Sequence, residues 1–219
     1  MDLRVDHASV VVFDLDDTLY NELDFLRSAY WEIALKIAPS APGPIFSQMF
    51  SQYRNGINVF EKISNQLNLD ITQLIHSYRN HFPTIQLFDG ALPLLEKIKS
   101  KNGKIGLVTD GRSITQRNKV KALGLTPFLD HIVISEELGT EKPNPENFRA
   151  IERHLPGTHY HYIADNLKKD FVAPKKMGWQ AIALIDNGKN IHSTTHLYVQ
   201  NEVHTPHYYI KSLTDIQVV

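Results

Sequence analysis

The sequence predicts an α/β protein, a parallel sheet flanked by helices on both faces, with an all-α module of four helices inserted after the first strand. Three observations carry this. Short apolar runs recur along the chain, and most are followed by a helical pattern. The runs do not alternate polar and apolar residues, as expected of strands buried on both faces. Between Tyr20 and Gln86 this alternation of strand and helix lapses, and the periodicity is helical throughout.

The predicted strands are Val10–Phe13, Ile105–Val108, Ile132–Ile134, Tyr160–Ala164 and Ala181–Ile185, with a last short strand at His207–Ile210. Between them fall helices at Ala91–Lys101, Ile114–Leu123, Pro145–His154 and Lys168–Met177. Gly103, Gly124, Gly157 and Gly178 stand where those helices should stop. In the inserted module, Phe25, Leu26, Ala29, Tyr30, Ile33, Ala34 and Ile37 share one stripe that Pro39 ends. Ile45, Phe46, Met49, Phe50 and Tyr53 form a second stripe, and Val59, Phe60, Ile63 and Leu67 a third. Asp70 reads as the N-cap of a fourth helix, with Gln73 as its capping-box partner. The stretch 39–44 (PSAPGP) reads as a loop within the module. Residues 1–20 and 87–219 are thus assigned to the core and 21–86 to the helical module. Segment 186–206 is a long loop or an added hairpin.

The chain has 219 residues, is 42% hydrophobic and carries a net charge of -1, enough apolar material for one sizeable core. That balance lacks the basic face of a nucleic-acid binder. The absence of cysteine excludes disulfides and thiolate chemistry. The apolar run near the N-terminus is too short for a signal peptide or a membrane span. The expectation is a soluble, cytoplasmic protein without nucleic-acid or membrane partners, monomeric or weakly homodimeric.

Ligands of open parallel sheets bind beyond the carboxyl ends of the strands. There this sequence places Asp14, Asp16, Asp17 and Thr18; then Thr109, Asp110 and Gly111; then Lys142 before Pro143; then Asp165, Asn166 and Asp170. Asp14 and Asp16, two apart in an extended segment, project to one side. Two such carboxylates repel unless a cation lies between them. With Asp165 as a third oxygen donor, the set suits Mg²⁺, which is held by few carboxylates, water and substrate phosphate. Lys142 suits a phosphate dianion. Thr109 and the backbone N–H groups around Asp110-Gly111 suit phosphate oxygens at a helix start. One aspartate beside a metal can attack phosphorus, and another can protonate the leaving oxygen.

The four segments FDLDDT, LVTDG, EKPNPENF and IADNLKKD, in that order, resemble the motifs of the haloacid dehalogenase-like hydrolases, and the likeness spans most of the chain. The helical insertion between the first and second motifs is similar to the cap of subgroup I members. The resemblance implies a Rossmann-like core and Mg²⁺-dependent hydrolysis of a small phosphomonoester of nucleotide or sugar phosphate type. It implies Asp14 as nucleophile and Asp16 as general acid/base. Asp14, Asp165 and the backbone carbonyl of Asp16 would hold Mg²⁺, and Thr109 and Lys142 would steady the phosphoryl group. Asp170, with Thr18 and Asn166, would act around these groups, Asp170 through a metal-bound water or towards Lys142. Two positions depart from the pattern: Ala164 stands where glycine is common and Leu167 where proline is frequent. Asp16 itself argues against dehalogenation, whose members usually lack that second aspartate. A phosphomutase using the same aspartyl-phosphate, and a non-catalytic binding protein on this scaffold, are the alternative readings.

Asp17 and Asp110 also read as turn or cap residues. Tyr20, Asn21, Arg54 and Asn55 are the candidates for substrate specificity, with Arg112. The pairs His192/His196 and His159/His161 have spacings seen in zinc sites, but no acid accompanies them, so they are assigned structural or surface roles.

Overall fold

The computed structural model describes all 219 residues. In chain order the elements are β1 (Asp2–Leu3), β2 (Ser9–Phe13), α1 (Glu22–Ile37), α2 (Pro42–Arg54), α3 (Val59–Leu67), α4 (Ile71–Arg79), α5 (Ala91–Ser100), β3 (Lys104–Thr109), α6 (Ser113–Ala122), β4 (His131–Ile134), α7 (Ser135–Leu138), α8 (Glu146–His154), β5 (His159–Ala164), α9 (Val172–Lys176), β6 (Gln180–Leu184), β7 (Tyr208–Ile210) and β8 (Gln217–Val218). Six strands form one parallel sheet in the order β4-β3-β2-β5-β6-β7. A second, two-stranded parallel pair joins β1 to β8, which the sequence reading did not anticipate because two-residue strands carry no periodicity.

The alternation of side chains along each strand splits the apolar residues between two layers. Val11 and Phe13 of β2 join Ile105, Leu107 and Ile163 on one face. Val10 and Val12 join Val108, Tyr162 and Ala164 on the other. Helices cover both faces, so β2 is completely buried. Its neighbours diverge: the chain crosses to β3 on one side and to β5 on the other. That reversal opens a crevice at the carboxyl end of β2, where Asp14 lies.

Helices α1 to α4 pack around a third, separate cluster of Leu26, Tyr30, Ile33, Met49, Val59, Ile63 and Leu74. The chain leaves the sheet after Phe13 and returns near Phe88, whose N–H donates to the Leu19 carbonyl at 2.8 Å. No helix is long and apolar enough to cross a membrane.

Several local expectations change. α2 begins inside the proline-rich stretch, at Pro42, since proline fits the first helical turn, whose N–H groups have no intrahelical acceptor. Asp70 caps α4 by accepting from Thr72 N–H, without a reciprocal bond from Gln73. α5 is closed by Asn102 at φ 61°, not by Gly103. Gly103 is needed for another reason: a Cβ there would come within 2.5 Å of Val5 Cγ1. The predicted helix at Lys168–Met177 shrinks to Val172–Lys176, because residues 166–170 form a turn that directs Asp170 inward. Segment 186–206 is a long loop with one 3-10 turn at Thr195–Leu197.

Candidate active site

At the carboxyl end of β2, Asp14 is buried against Lys142, whose Nζ donates to Asp14 Oδ1 at 2.8 Å and to Asp170 Oδ1 at 2.7 Å. Tyr162, two residues before the end of β5, accepts a third bond from that ammonium at 3.1 Å. Lys142 and Asp170 are fully enclosed, so the pair has formed at the expense of hydration and depends on this geometry. The backbone N–H of Asn166 donates to the other oxygen of Asp170, at 2.9 Å. Asp165 accepts from Thr18 Oγ1 at 3.4 Å and from Asn190 Nδ2 at 2.9 Å.

Asp14, Asp165 and Asp170 offer carboxylate oxygens that all lie within 4.8 Å of one another. Burial pushes Asp14 up to about 7, against the pull of Lys142 and with Asp170 adding to it. Burial, then the charges of Asp170 and Asp14, raise Asp165 well above the carboxylate range. This is an excess of hard, negative oxygen donors with no nitrogen or sulfur ligand among them. Such a set fits a small divalent cation and not zinc. Asp170 has both oxygens held, by Lys142 and by the Asn166 N–H, and lies outside the cavity wall that Asp14 and Asp165 share, so these two are the carboxylates that face a cation. No histidine joins the cluster; His161 instead meets Gln180 Oε1 at 2.8 Å.

Asp16 points elsewhere. Its Oδ1 accepts from Lys119 Nζ at 2.7 Å and from the Tyr20 hydroxyl, and its Oδ2 from Gln116 Nε2 at 2.9 Å. Burial would raise this carboxyl, but the Lys119 ammonium and the bonds from Tyr20 and Gln116 outweigh it and hold Asp16 below its ordinary value. The same Gln116 nitrogen reaches Thr109 Oγ1, at 2.5 Å, on the last residue of β3.

The other predicted residues fall into two groups. Asp17, at φ 55°, accepts the N–H groups of Glu22 and Ile191, so it braces two chain segments. Asp110 braces both lysines of the region, accepting from Lys142 N–H at 3.1 Å and Lys169 Nζ at 2.7 Å. Gly111 takes φ 132°, which only glycine adopts readily, and its N–H is bonded to Ser135 Oγ at 2.9 Å. Asp110 and Gly111 therefore enter as braces of the loop, not as groups already free for phosphate. Asn166 Oδ1 accepts from Lys168 N–H. Ala164 ends β5 in the buried layer, with Leu167 beside it, so neither departure from the motif disturbs the site. Asn21 meets Asn187 and Arg112 pairs with Glu136. Arg54 and Asn55 close α2 away from the cavities that adjoin Asp16.

A small cavity of about 110 Å³ has Asp14, Asp165, Lys169 and His192 in its wall. A wider one of about 360 Å³ adjoins Asp16 and runs between the sheet and the inserted helices, past Phe25, Phe60, Tyr78, Arg79 and Arg112. The sequence reading did not single out Gln116, Lys119, Lys169 or Asn190, and it assigned His192 a structural or surface role. The spacing of Gln116 and Lys119, which puts both on one helical face, was the available signal. Nothing in segment 186–206 announced that it returns to the site.

A model of the haloacid dehalogenase-like hydrolases matches residues 11–184, nearly the whole sheet and every residue of the acidic cluster. The chain belongs to this family. Among curated members, a glyceraldehyde 3-phosphate phosphatase of Methanopyrus kandleri is 31% identical over 192 residues, 80% of this chain and 82% of that one. Its counterpart in Methanocaldococcus jannaschii is 28% identical over 206 residues, 80% and 84% of the two chains. A pyrimidine 5'-nucleotidase of Escherichia coli, YjjG, is 28% identical over 152 residues, covering 63% and 67%. Among solved structures, that of the HAD-hydrolase YfnB of Bacillus subtilis, bound to magnesium, superposes with a TM-score of 0.68 at 20% identity, covering 97% of each chain. That likeness is one of fold, and it extends beyond the sheet to the inserted helices.

Proposed function

We propose that this chain is a Mg²⁺-dependent phosphatase of small phosphomonoesters that works through an aspartyl-phosphate on Asp14. The observation that carries the reading is the placing of Asp14 at the switch point of the sheet, between Lys142 and Asp165, with Asp16 two residues on. Family membership and the curated phosphatases among the relatives support the reaction class.

Asp14 attacks phosphorus; Asp16, a carboxylate in the free protein, takes up a proton as the phosphomonoester binds and passes it to the leaving ester oxygen, and the phosphoryl group becomes bonded to the Asp14 carboxylate. Asp16 then takes a proton from water, whose oxygen attacks phosphorus and frees inorganic phosphate and Asp14. Lys142 and Thr109 neutralise and orient the phosphoryl oxygens. Asp14, Asp165 and the Asp16 backbone carbonyl would hold Mg²⁺, which supplies charge neutralisation between nucleophile and phosphate. Segment 21–86 serves as a cap, hinged where Leu19 meets Phe88, and the wider cavity receives the leaving group. Its aromatic wall and arginine rim suit a sugar or nucleoside body. Glyceraldehyde 3-phosphate and pyrimidine nucleotides, named for the relatives, are the first substrates to assay.

The test is hydrolysis of p-nitrophenyl phosphate with Mg²⁺, with EDTA, and by Asp14→Asn. Turnover should require the metal and fall by roughly 10⁴-fold or more in the variant. Hydrolysis that persists in EDTA, or in Asp14→Asn, would break the mechanism.

A further inference from the structure

The geometry points to Gln116 and Lys119 of α6 as positioning residues that aim Asp16; the inference rests on the acid/base role proposed above for that aspartate. Lys119 is 3% exposed, and its ammonium forms one ion pair only, with Asp16. Around it the rings of Phe25 and Tyr20 lie 4.5 and 5.9 Å away, and the Glu22 carboxyl is near enough to feel its charge. A lysine enclosed this way is an uncommon choice for packing, since an apolar side chain of similar size would fill the space without loss of hydration. Its specific product is the orientation of one carboxylate.

Gln116, 2% exposed, completes the arrangement. It holds Asp16 Oδ2 and Thr109 Oγ1 with the same amide nitrogen. With Tyr20 of the same loop on Oδ1, both oxygens of Asp16 are engaged, and α6 supplies the two partners from outside that loop. Helix α6 thereby links the hydroxyl expected to meet the phosphoryl group to the acid expected to meet the ester oxygen. Phe25 belongs to α1, the first of the inserted helices, so the same lysine also joins the two parts of the molecule. Proton transfer in a transition state tolerates little displacement, so loosening Asp16 should slow the reaction most where the leaving group needs the proton most.

Two esters of similar shape separate this from a merely structural role. Phenol is a poor leaving group and requires a proton; p-nitrophenolate departs without one. For Lys119→Met, kcat/KM should fall roughly 100-fold with phenyl phosphate and less than about 5-fold with p-nitrophenyl phosphate. In an Asp16→Asn background the same substitution should cost nothing further, because the group it aims is gone. Equal losses on the two esters, or losses that add to those of Asp16→Asn, would overturn the inference and leave the phosphatase reading standing. A wild-type protein inactive on both esters would take the phosphatase reading down and this inference with it. If Lys119→Met does not fold, Gln116→Met keeps the ion pair and should show the same skew at smaller size; an unskewed loss there overturns the inference equally.

Discussion

Asp14 and Asp16 are two residues apart and each meets a buried lysine, yet the two halves of the site are built on opposite principles. Around Asp14, three carboxylates crowd one enclosed ammonium, with Lys169 in the same cavity wall, and burial pushes Asp14 and Asp165 towards their neutral forms. Around Asp16, one carboxylate meets one ammonium and two neutral donors, which hold it charged beside Glu22, whose own carboxyl burial and the charge of Asp16 push up to about 8. The first half has the donor set of a cation site. The second holds a direction. The same residue type two positions along thus serves two purposes because different elements close around it: loops after β4 and β5 in one case, helix α6 in the other.

The comparison is broken most forcefully at the lysines. Lys142→Met leaves Asp14 and Asp170 buried without their only ion-pair partner, and should destabilise the metal-free protein by roughly 3–5 kcal/mol, whereas Lys119→Met leaves Asp16 with Tyr20 and Gln116 and should cost less than half of that. Urea unfolding of both variants measures the gap, and equal costs would mean that the halves are not different in kind. Added Mg²⁺ should recover part of the Lys142→Met loss and none of the Lys119→Met loss.

A smaller effect sharpens the cation side. Asn190 donates to Asp165 from the long loop after β6, so Asn190→Ala frees that carboxylate to turn. Mg²⁺ affinity, measured by titration calorimetry, should weaken by about tenfold, as when a group that orients a ligand is removed. Unchanged affinity would make the loop a bystander.

The smallest effect lies at the other end of β5. His161 is buried, its Nε2 has no partner, and burial lowers its pKa below 6.5, with Gln180 opposing and His159 adding. The unfolded chain therefore takes up the proton first. Stability from this residue is intact above pH 6.5 and lost as pH falls below it. His161→Gln should flatten that part of the profile in thermal unfolding. A steeper profile in the variant would contradict the assignment.

Much of this architecture was legible beforehand. Strands buried on both faces read as bare apolar runs, and each predicted strand of the large sheet appears within a residue or two of its place. Asp14, Asp165 and Lys142 were found because ligands gather at strand ends, a rule that needs only element order. Two kinds of residue escaped. Gln116 and Lys119 sit on a helix whose polar residues look like a solvated face, and only tertiary docking shows three of them, Thr115, Gln116 and Lys119, to be buried. Asn190 and His192 lie in a segment without periodicity, and the one local signal there, the His192/His196 spacing, pointed to zinc and not to this site.

The chain by itself determined the order of strands and helices, the place of the insertion, and which carboxylates end which strands, because hydrophobic period and turn chemistry are local properties. Only the tertiary structure decided what each carboxylate does. It gave Asp170 and Asp110 to lysines, Asp17 to backbone N–H groups, Asp16 to α6, and left Asp14 and Asp165 facing each other. The reason is physical: a carboxylate's charge and aim depend on burial and on partners as many as 174 residues away in the chain, and neither distance nor desolvation is written in a local pattern.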